Sequence, residues 1–229
     1  MKIADNIVII HRSGGDFKIA DVYLLVSHIR KYWDKLPLPN IYCFSDTTDK
    51  ELNVVGLTIL PLPNSEWIGW WSKMNLFSNE LKKYRPFLYL DIDTAVLKSL
   101  TDLIPPDEAK SKFVTLRDFY RPNHLASGLM WVPDAAIIDD IYVEWSKAPS
   151  KHIKKFRGDQ NFIESVIKQS DVYWQDISAP EFITTFKPGG KWRMSLPDKS
   201  AVVCFHGKPR IPVAAKSVEW VKSYTSYEI

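Results

Sequence analysis

Cysteine is nearly missing from this sequence. Cys43 and Cys204 are the only two in 229 residues, and they stand too far apart to suggest a zinc site or a disulfide framework. Each lies inside an apolar run of strand character, so both are expected as buried free thiols in a reducing compartment. Long apolar runs are missing too. Nothing approaches the roughly 20 apolar residues of a membrane span, and the opening MKIADNIVII is too short a run for a secretory signal. The net charge of +3 is too small to point to nucleic acid. What these absences leave is a cytoplasmic globular chain. A 45% hydrophobic composition suits one domain, residues 1–229, with a proper core.

The most informative stretch that is present reads PFLYLDIDTAV, residues 86–96. Phe87, Leu88, Tyr89 and Leu90 form a short apolar, aromatic run of buried-strand type, which stops at Asp91-Ile92-Asp93. Residues two apart on a strand end share a face, so both carboxylates are expected in one crevice. Two carboxylates that close repel one another and invite a divalent cation. The bland alternative is that they satisfy turn backbone groups.

Residues 7–10 read as a first strand, 11–16 as the loop leaving it, 19–33 as a helix and 41–44 as a second strand ending at Ser45-Asp46. A strand, helix and strand of these lengths make a βαβ unit, so the fold class is α/β, Rossmann-like, with a mostly parallel central sheet and helices on both faces. Ligands of such sheets bind beyond the carboxyl ends of the strands, which places His11, Arg12, Asp46, Asp91 and Asp93 on one edge. A strand at 57–60 precedes the run EWIGWW, whose Trp67, Trp70 and Trp71 either stack on a ligand or pack a helix start. Residues 72–84 read as a helix with Lys73 at its start, where the helix dipole disfavours a cation.

Further strands are expected at 113–116 and 129–132, the second after a loop ending in Ser127-Gly128, where glycine permits close backbone approach. A helix at 134–145 has Asp134 as its cap. Residues 147–157 carry five Lys/Arg and no acid, either a solvated face or one that attracts an anionic acceptor or a membrane surface, with at most peripheral membrane contact. Asp159 either caps the helix at 161–167 or presents its carboxylate to a site. A last strand, 201–205, runs into His206-Gly207-Lys208-Pro209-Arg210. There a histidine can complete a metal site, glycine can admit a phosphate, and lysine and arginine can offset diphosphate charge. From 187 to 222 eight Lys/Arg face only Asp198 and Glu219.

The order YLDID (89–93), ASGLMWV (126–132), GDQ (158–160) and FHGKPR (205–210) resembles the GT-A glycosyltransferases, most of all the family-eight group of glycogenin and bacterial lipopolysaccharide galactosyltransferases. The resemblance implies a GT-A domain with a nucleotide-binding half, residues 1–95, and an acceptor and sugar half, residues 96–229. It implies a nucleotide-sugar donor, a UDP-sugar before others, and a glycan or lipid-linked acceptor. Asp91, Asp93 and His206 would bind Mn²⁺ or Mg²⁺. Lys208 and Gly207 would meet the diphosphate, and Lys73 would stand where the family has an arginine. Ser127 and Gly128 would line the sugar pocket, with Asp159 and Gln160 as catalytic residues beside the transferred sugar. Ile92, His11, Arg12 and Asp46 would complete the donor site. Two departures stand out: His206 and Lys208 are closer together than in the family, and the chain is short.

Two other readings use the same letters. A haloacid-dehalogenase-like phosphatase would take Asp91 as nucleophile and Asp93 beside it, borrow Thr115 and Lys112, and use Asp139-Asp140 as its second acidic motif. A non-catalytic carbohydrate-binding protein would be expected to carry a broken metal motif, and this one is intact.

Overall fold

The computed structural model describes residues 5–47, 56–167 and 172–226. Strand β1 (Asn6–His11) leads through helix α1 (Ile19–Tyr32) to β2 (Asn40–Ser45), and β3 (Leu57–Pro61) follows. A 3₁₀ helix (Gly69–Phe77) and the short α2 (Asn79–Lys82) come before β4 (Phe87–Leu90) and β5 (Thr94–Val96). Then come β6 (Val114–Arg117), β7 (Leu125–Val132) and helices α3 (Ala136–Lys147), α4 (Pro149–Lys155) and α5 (Asp159–Ile167). The remainder is β8 (Val172–Tyr173), α6 (Trp174–Ile177), β9 (Ile183–Thr185), β10 (Val202–Cys204), α7 (Ile211–Ala214) and α8 (Glu219–Thr225).

Seven strands form one sheet in the order β3-β2-β1-β4-β7-β6-β8. It is parallel except at β7, which runs antiparallel to both β4 and β6. Period-two alternation divides the core. Ile7, Ile9, Leu88 and Leu90 pack beneath Val22, Leu25, Val26 and Ile29 of α1, while Val8, Ile10, Phe87 and Tyr89 face the other layer with Met74, Phe77, Trp145 and Phe162. Each large side chain buried this way contributes about 1.5–3 kcal/mol.

Two expectations change. The sheet accounts for only part of the chain, because β5, β10 and β9 form a second, three-stranded sheet covered by α7 and α8. Residues 201–205 therefore do not join the parallel sheet, and β10 pairs antiparallel with β5. Asp91-Ile92-Asp93 is the seam where the chain leaves one sheet and enters the other. Ser127 and Gly128 are also not in a loop: β7 begins at Leu125, and both are strand residues.

The remaining differences are local. The expected helix at 72–84 is mainly 3₁₀, so Lys73 sits within it and not at the start of an α-helix. Asp134 caps nothing, since α3 starts from Ala135 without a side-chain cap. Trp67 and Trp71 pack on Trp145, both at 5.3 Å between ring centroids, whereas Trp70 is 60% exposed. Helix α4 buries none of its side chains, as a solvated basic segment should. Cys43 and Cys204 are buried and free.

Candidate active site

Asp91 has the same parity as Tyr89 along β4, so both face the 3₁₀ helix. The Tyr89 hydroxyl donates to Asp91 Oδ1, and burial, followed by the nearby Asp91 charge, raises the tyrosine's pKa well above its ordinary value. Lys73 comes from that helix to the same place. Its Nζ lies 3.0 Å from Asp91 Oδ1, 3.3 Å from Asp159 Oδ2 and 3.1 Å from Ser127 Oγ. The Ser127 hydroxyl in turn donates to Asp159 Oδ2 at 2.6 Å. Burial alone would lower the Lys73 pKa, but Asp159 and Asp91 outweigh it and raise the value, so the ammonium stays charged although only 7% exposed. An ammonium has three N–H bonds to give, and these three residues take them.

β4 and β7 meet closely because Gly128 has no side chain. Its carbonyl accepts from the Asp91 amide at 2.9 Å, and a Cβ there would stand 3.3 Å from Asp91 Oδ2. Asp159 is the first residue of α5. It turns its carboxylate inward to Lys73 and Ser127. Gln160 donates weakly to Asp118 Oδ2 at 3.4 Å, and Asp118 is gripped by Arg121 and by the amides of Tyr120 and Arg121. Sequence reasoning missed Tyr89 and Asp118. The two-residue spacing of Tyr89 from Asp91 was the available signal.

On the other side of the seam, Asp93 binds the Arg210 guanidinium through Oδ2, and its carbonyl accepts from the Phe205 amide at 3.0 Å. Burial and the neighbouring Asp91 push the Asp93 pKa up to about 7 against the pull of Arg210. The loop after β10 is organised by Lys187, whose Nζ donates to the carbonyls of His206 and, at 2.7 Å, of Lys208. Gly207 there has φ +67°, a left-handed conformation that favours glycine. Lys208 is exposed and lines a cavity of about 670 Å³ together with Phe17, Ile92, Asp93 and Arg210.

His11 and Asp46 sit at the ends of β1 and β2. His11 Nδ1 is 2.8 Å from Ser45 Oγ, and Asp46 holds Arg12 and accepts from the amide and hydroxyl of Ser13. Arg12 and Asp46 are thus engaged with one another at the sheet edge, while the buried His11 Nε2 has no hydrogen-bond partner among the described residues.

The expected metal ligands are brought to one region but not into one shell, and among the described residues no three of His, Cys, Asp and Glu stand close enough to share an ion. Their chemistry nevertheless suits a divalent cation. Three carboxylates, Asp91, Asp93 and Asp159, face two cations, Lys73 and Arg210. His206 adds a buried Nε2 with no hydrogen-bond partner among the described residues. Burial lowers its pKa against Asp91 and Asp118, which favours the neutral imidazole that a metal requires.

The phosphatase reading gains no support. Asp139 lies in α3, paired with Lys82 at 2.6 Å and Arg85 at 2.7 Å, and β4 has an antiparallel neighbour.

No protein-family model and no curated sequence matches this chain. Solved structures do. The galactosyltransferase LgtC, in complex with donor and acceptor sugar analogues, superposes with a TM-score of 0.65 at 13% identity, over 96% of this chain and 94% of that one. The glycosyltransferase GlyE of Streptococcus pneumoniae TIGR4 gives 0.67 at 13% identity, over 99% of this chain and 61% of its own. Mouse xyloside xylosyltransferase 1 gives 0.55 at 11% identity, over 91% and 99%. The chain has the GT-A fold.

Proposed function

We propose that the protein is a glycosyltransferase that takes a sugar from a nucleotide-diphospho-sugar, UDP-linked before others, and passes it to a glycan or lipid-linked acceptor. The observation that carries this reading is the Lys73, Asp91, Ser127 and Asp159 cluster, built at the carboxyl end of β4 in a GT-A fold. Asp91, Asp93 and His206 would hold Mn²⁺ or Mg²⁺, which when bound supplies Lewis-acid stabilisation of the departing diphosphate.

The chain's own groups do the rest. Lys208, exposed on the cavity wall, adds charge as the leaving group forms. Lys73, whose hydrogens are taken, orients Asp91 and Asp159 and does not bind phosphate. Asp159 is held by Lys73 and by the Ser127 hydroxyl. It fixes the sugar's orientation, and the acceptor hydroxyl attacks from the face the diphosphate leaves, the sugar–phosphate bond breaking as the glycosidic bond forms and the hydroxyl proton passing to the departing diphosphate oxygen, with retention of configuration. Gln160 lies alongside, held by Asp118. Of the three tryptophans, Trp70 is the one free to stack on a sugar.

Thermal unfolding with UDP and GDP, each with and without Mn²⁺, tests this reading. A nucleotide at a hundred times its Kd stabilises by about 2.7 kcal/mol, expected here as a rise in Tm of roughly 5–10 °C with UDP that needs the metal. No shift with any nucleotide would overturn it.

A further inference from the structure

Arg210 occupies a carboxylate that the proposed cation would need, and the structure has built a seat for it there. Its guanidinium binds Asp93, its Nε donates to Asp16 Oδ2 at 3.1 Å, and its central carbon lies 4.6 Å from the centroid of the Phe17 ring. The side chain is 25% exposed, and it lines the cavity that Asp93 and Lys208 also line. A solvated surface arginine would not be gripped by two acids and an aromatic face.

We propose that Arg210 is a displaceable internal counter-ion, which competes with the divalent cation for Asp93 and, once displaced, turns its guanidinium to the donor's diphosphate. The proposal rests on the transferase reading above. Two cations on one carboxylate repel, so a metal ion taking Asp93 loosens the arginine, while Asp16 and Phe17 keep its arm at the cavity wall. A planar guanidinium offers paired N–H groups that match phosphate oxygens, which a lysine does not. Cation and nucleotide then favour one another's binding, because the first releases a ligand for the second.

The test is to titrate Mn²⁺ alone into the wild-type protein, Arg210→Met and Arg210→Lys, following free ion by electron paramagnetic resonance, and then to titrate UDP at saturating Mn²⁺. Arg210→Met is expected to bind Mn²⁺ about tenfold more tightly and UDP about tenfold more weakly, with Arg210→Lys between on both axes. A merely structural arginine would move both affinities the same way, so opposite movement is the deciding signature. Unchanged or weaker Mn²⁺ binding by a folded Arg210→Met overturns the proposal. If that variant does not fold, the direction of the two shifts in Arg210→Lys decides. A wild-type protein that binds no UDP with Mn²⁺ overturns the transferase reading and this proposal with it. UDP and Mn²⁺ binding in the wild type with Mn²⁺ affinity unaltered in the variants overturns this proposal alone.

Discussion

Lys73 is where a single atom bears most on both stability and function. Its ammonium sits between Asp91 and Asp159, and the Lys73→Met variant would leave a buried Asp159 and a part-buried Asp91 without their partner. Losing one partner of a buried ion pair costs about 3–5 kcal/mol, so urea unfolding should show the midpoint falling by that equivalent. Donor binding should fail as well, even where the variant remains folded, because Asp159 loses its orientation. At this scale the sequence was readable for the acids and less so for what they touch. The two aspartates announce themselves by spacing, and His206 by the glycine, lysine and arginine around it. Lys73 drew notice only as a cation in an unfavourable helix position. Nothing in the sequence marks its reach to Ser127 and Asp159, which are 54 and 86 positions away, since such a meeting depends on how layers pack.

The 3₁₀ helix that carries Lys73 is held by aromatic packing. Trp145 is fully buried between Trp67, Trp71 and Phe162, with ring centroids 5.2–5.3 Å apart. Trp145→Ala is expected to cost about 3–5 kcal/mol by chemical denaturation. It should also weaken UDP binding although Trp145 lies in α3, outside the donor site, because Lys73 shifts with its helix. Trp145→Phe, which removes only part of the ring system, should lose less of either. Elements of ordinary length were legible: β1, α1, β2 and β4 follow their apolar periods to within a residue or two. Those that escaped had physical reasons. Residues 69–77 do not follow the 3.6-residue period, because they form a 3₁₀ helix. Ser127-Gly128 interrupts the apolar pattern of β7 because the site needs a hydroxyl and a bare backbone there. Strand β10 falls within the strand expected at 201–205, but its partners β5 and β9 have three residues each, too few to show alternation, so the second sheet as a whole left no pattern to find.

For the molecule as a whole, acid is the informative stress. Helix α8 closes on α1 through His28, whose ring stacks on Tyr224 at 3.9 Å and whose Nε2 is 2.9 Å from the Tyr224 carbonyl oxygen. Burial lowers the His28 pKa against that carbonyl's opposing pull, and burial lowers those of His11 and His206 likewise. A depressed folded-state pKa means that the unfolded chain takes up protons the folded chain refuses. The stability these histidines contribute is thus fully present above about pH 6.5 and is lost as pH falls through their lowered folded values. These histidines lower Tm between pH 7 and pH 5 while protonation of Asp93, whose folded pKa is raised to about 7, opposes them; His28→Phe, which keeps a stacked ring without a titrating group, should retain more of its Tm than the wild type over that interval. A slope unchanged in His28→Phe would exclude His28 as a contributor.

The seam between the sheets also sets an order in time. Asp93 and Arg210 are 117 residues apart, and at about 5–20 residues per second a ribosome needs roughly 6–23 s to pass from one to the other. For that interval the nascent chain carries its acidic strand end without the arginine that later neutralises it. The amide of Phe205, which closes the seam on the Asp93 carbonyl, is made scarcely sooner. The proposed donor site would therefore be complete only after almost all of the described chain has been translated, and ribosomes stalled before residue 205 should display nascent chains blind to nucleotide.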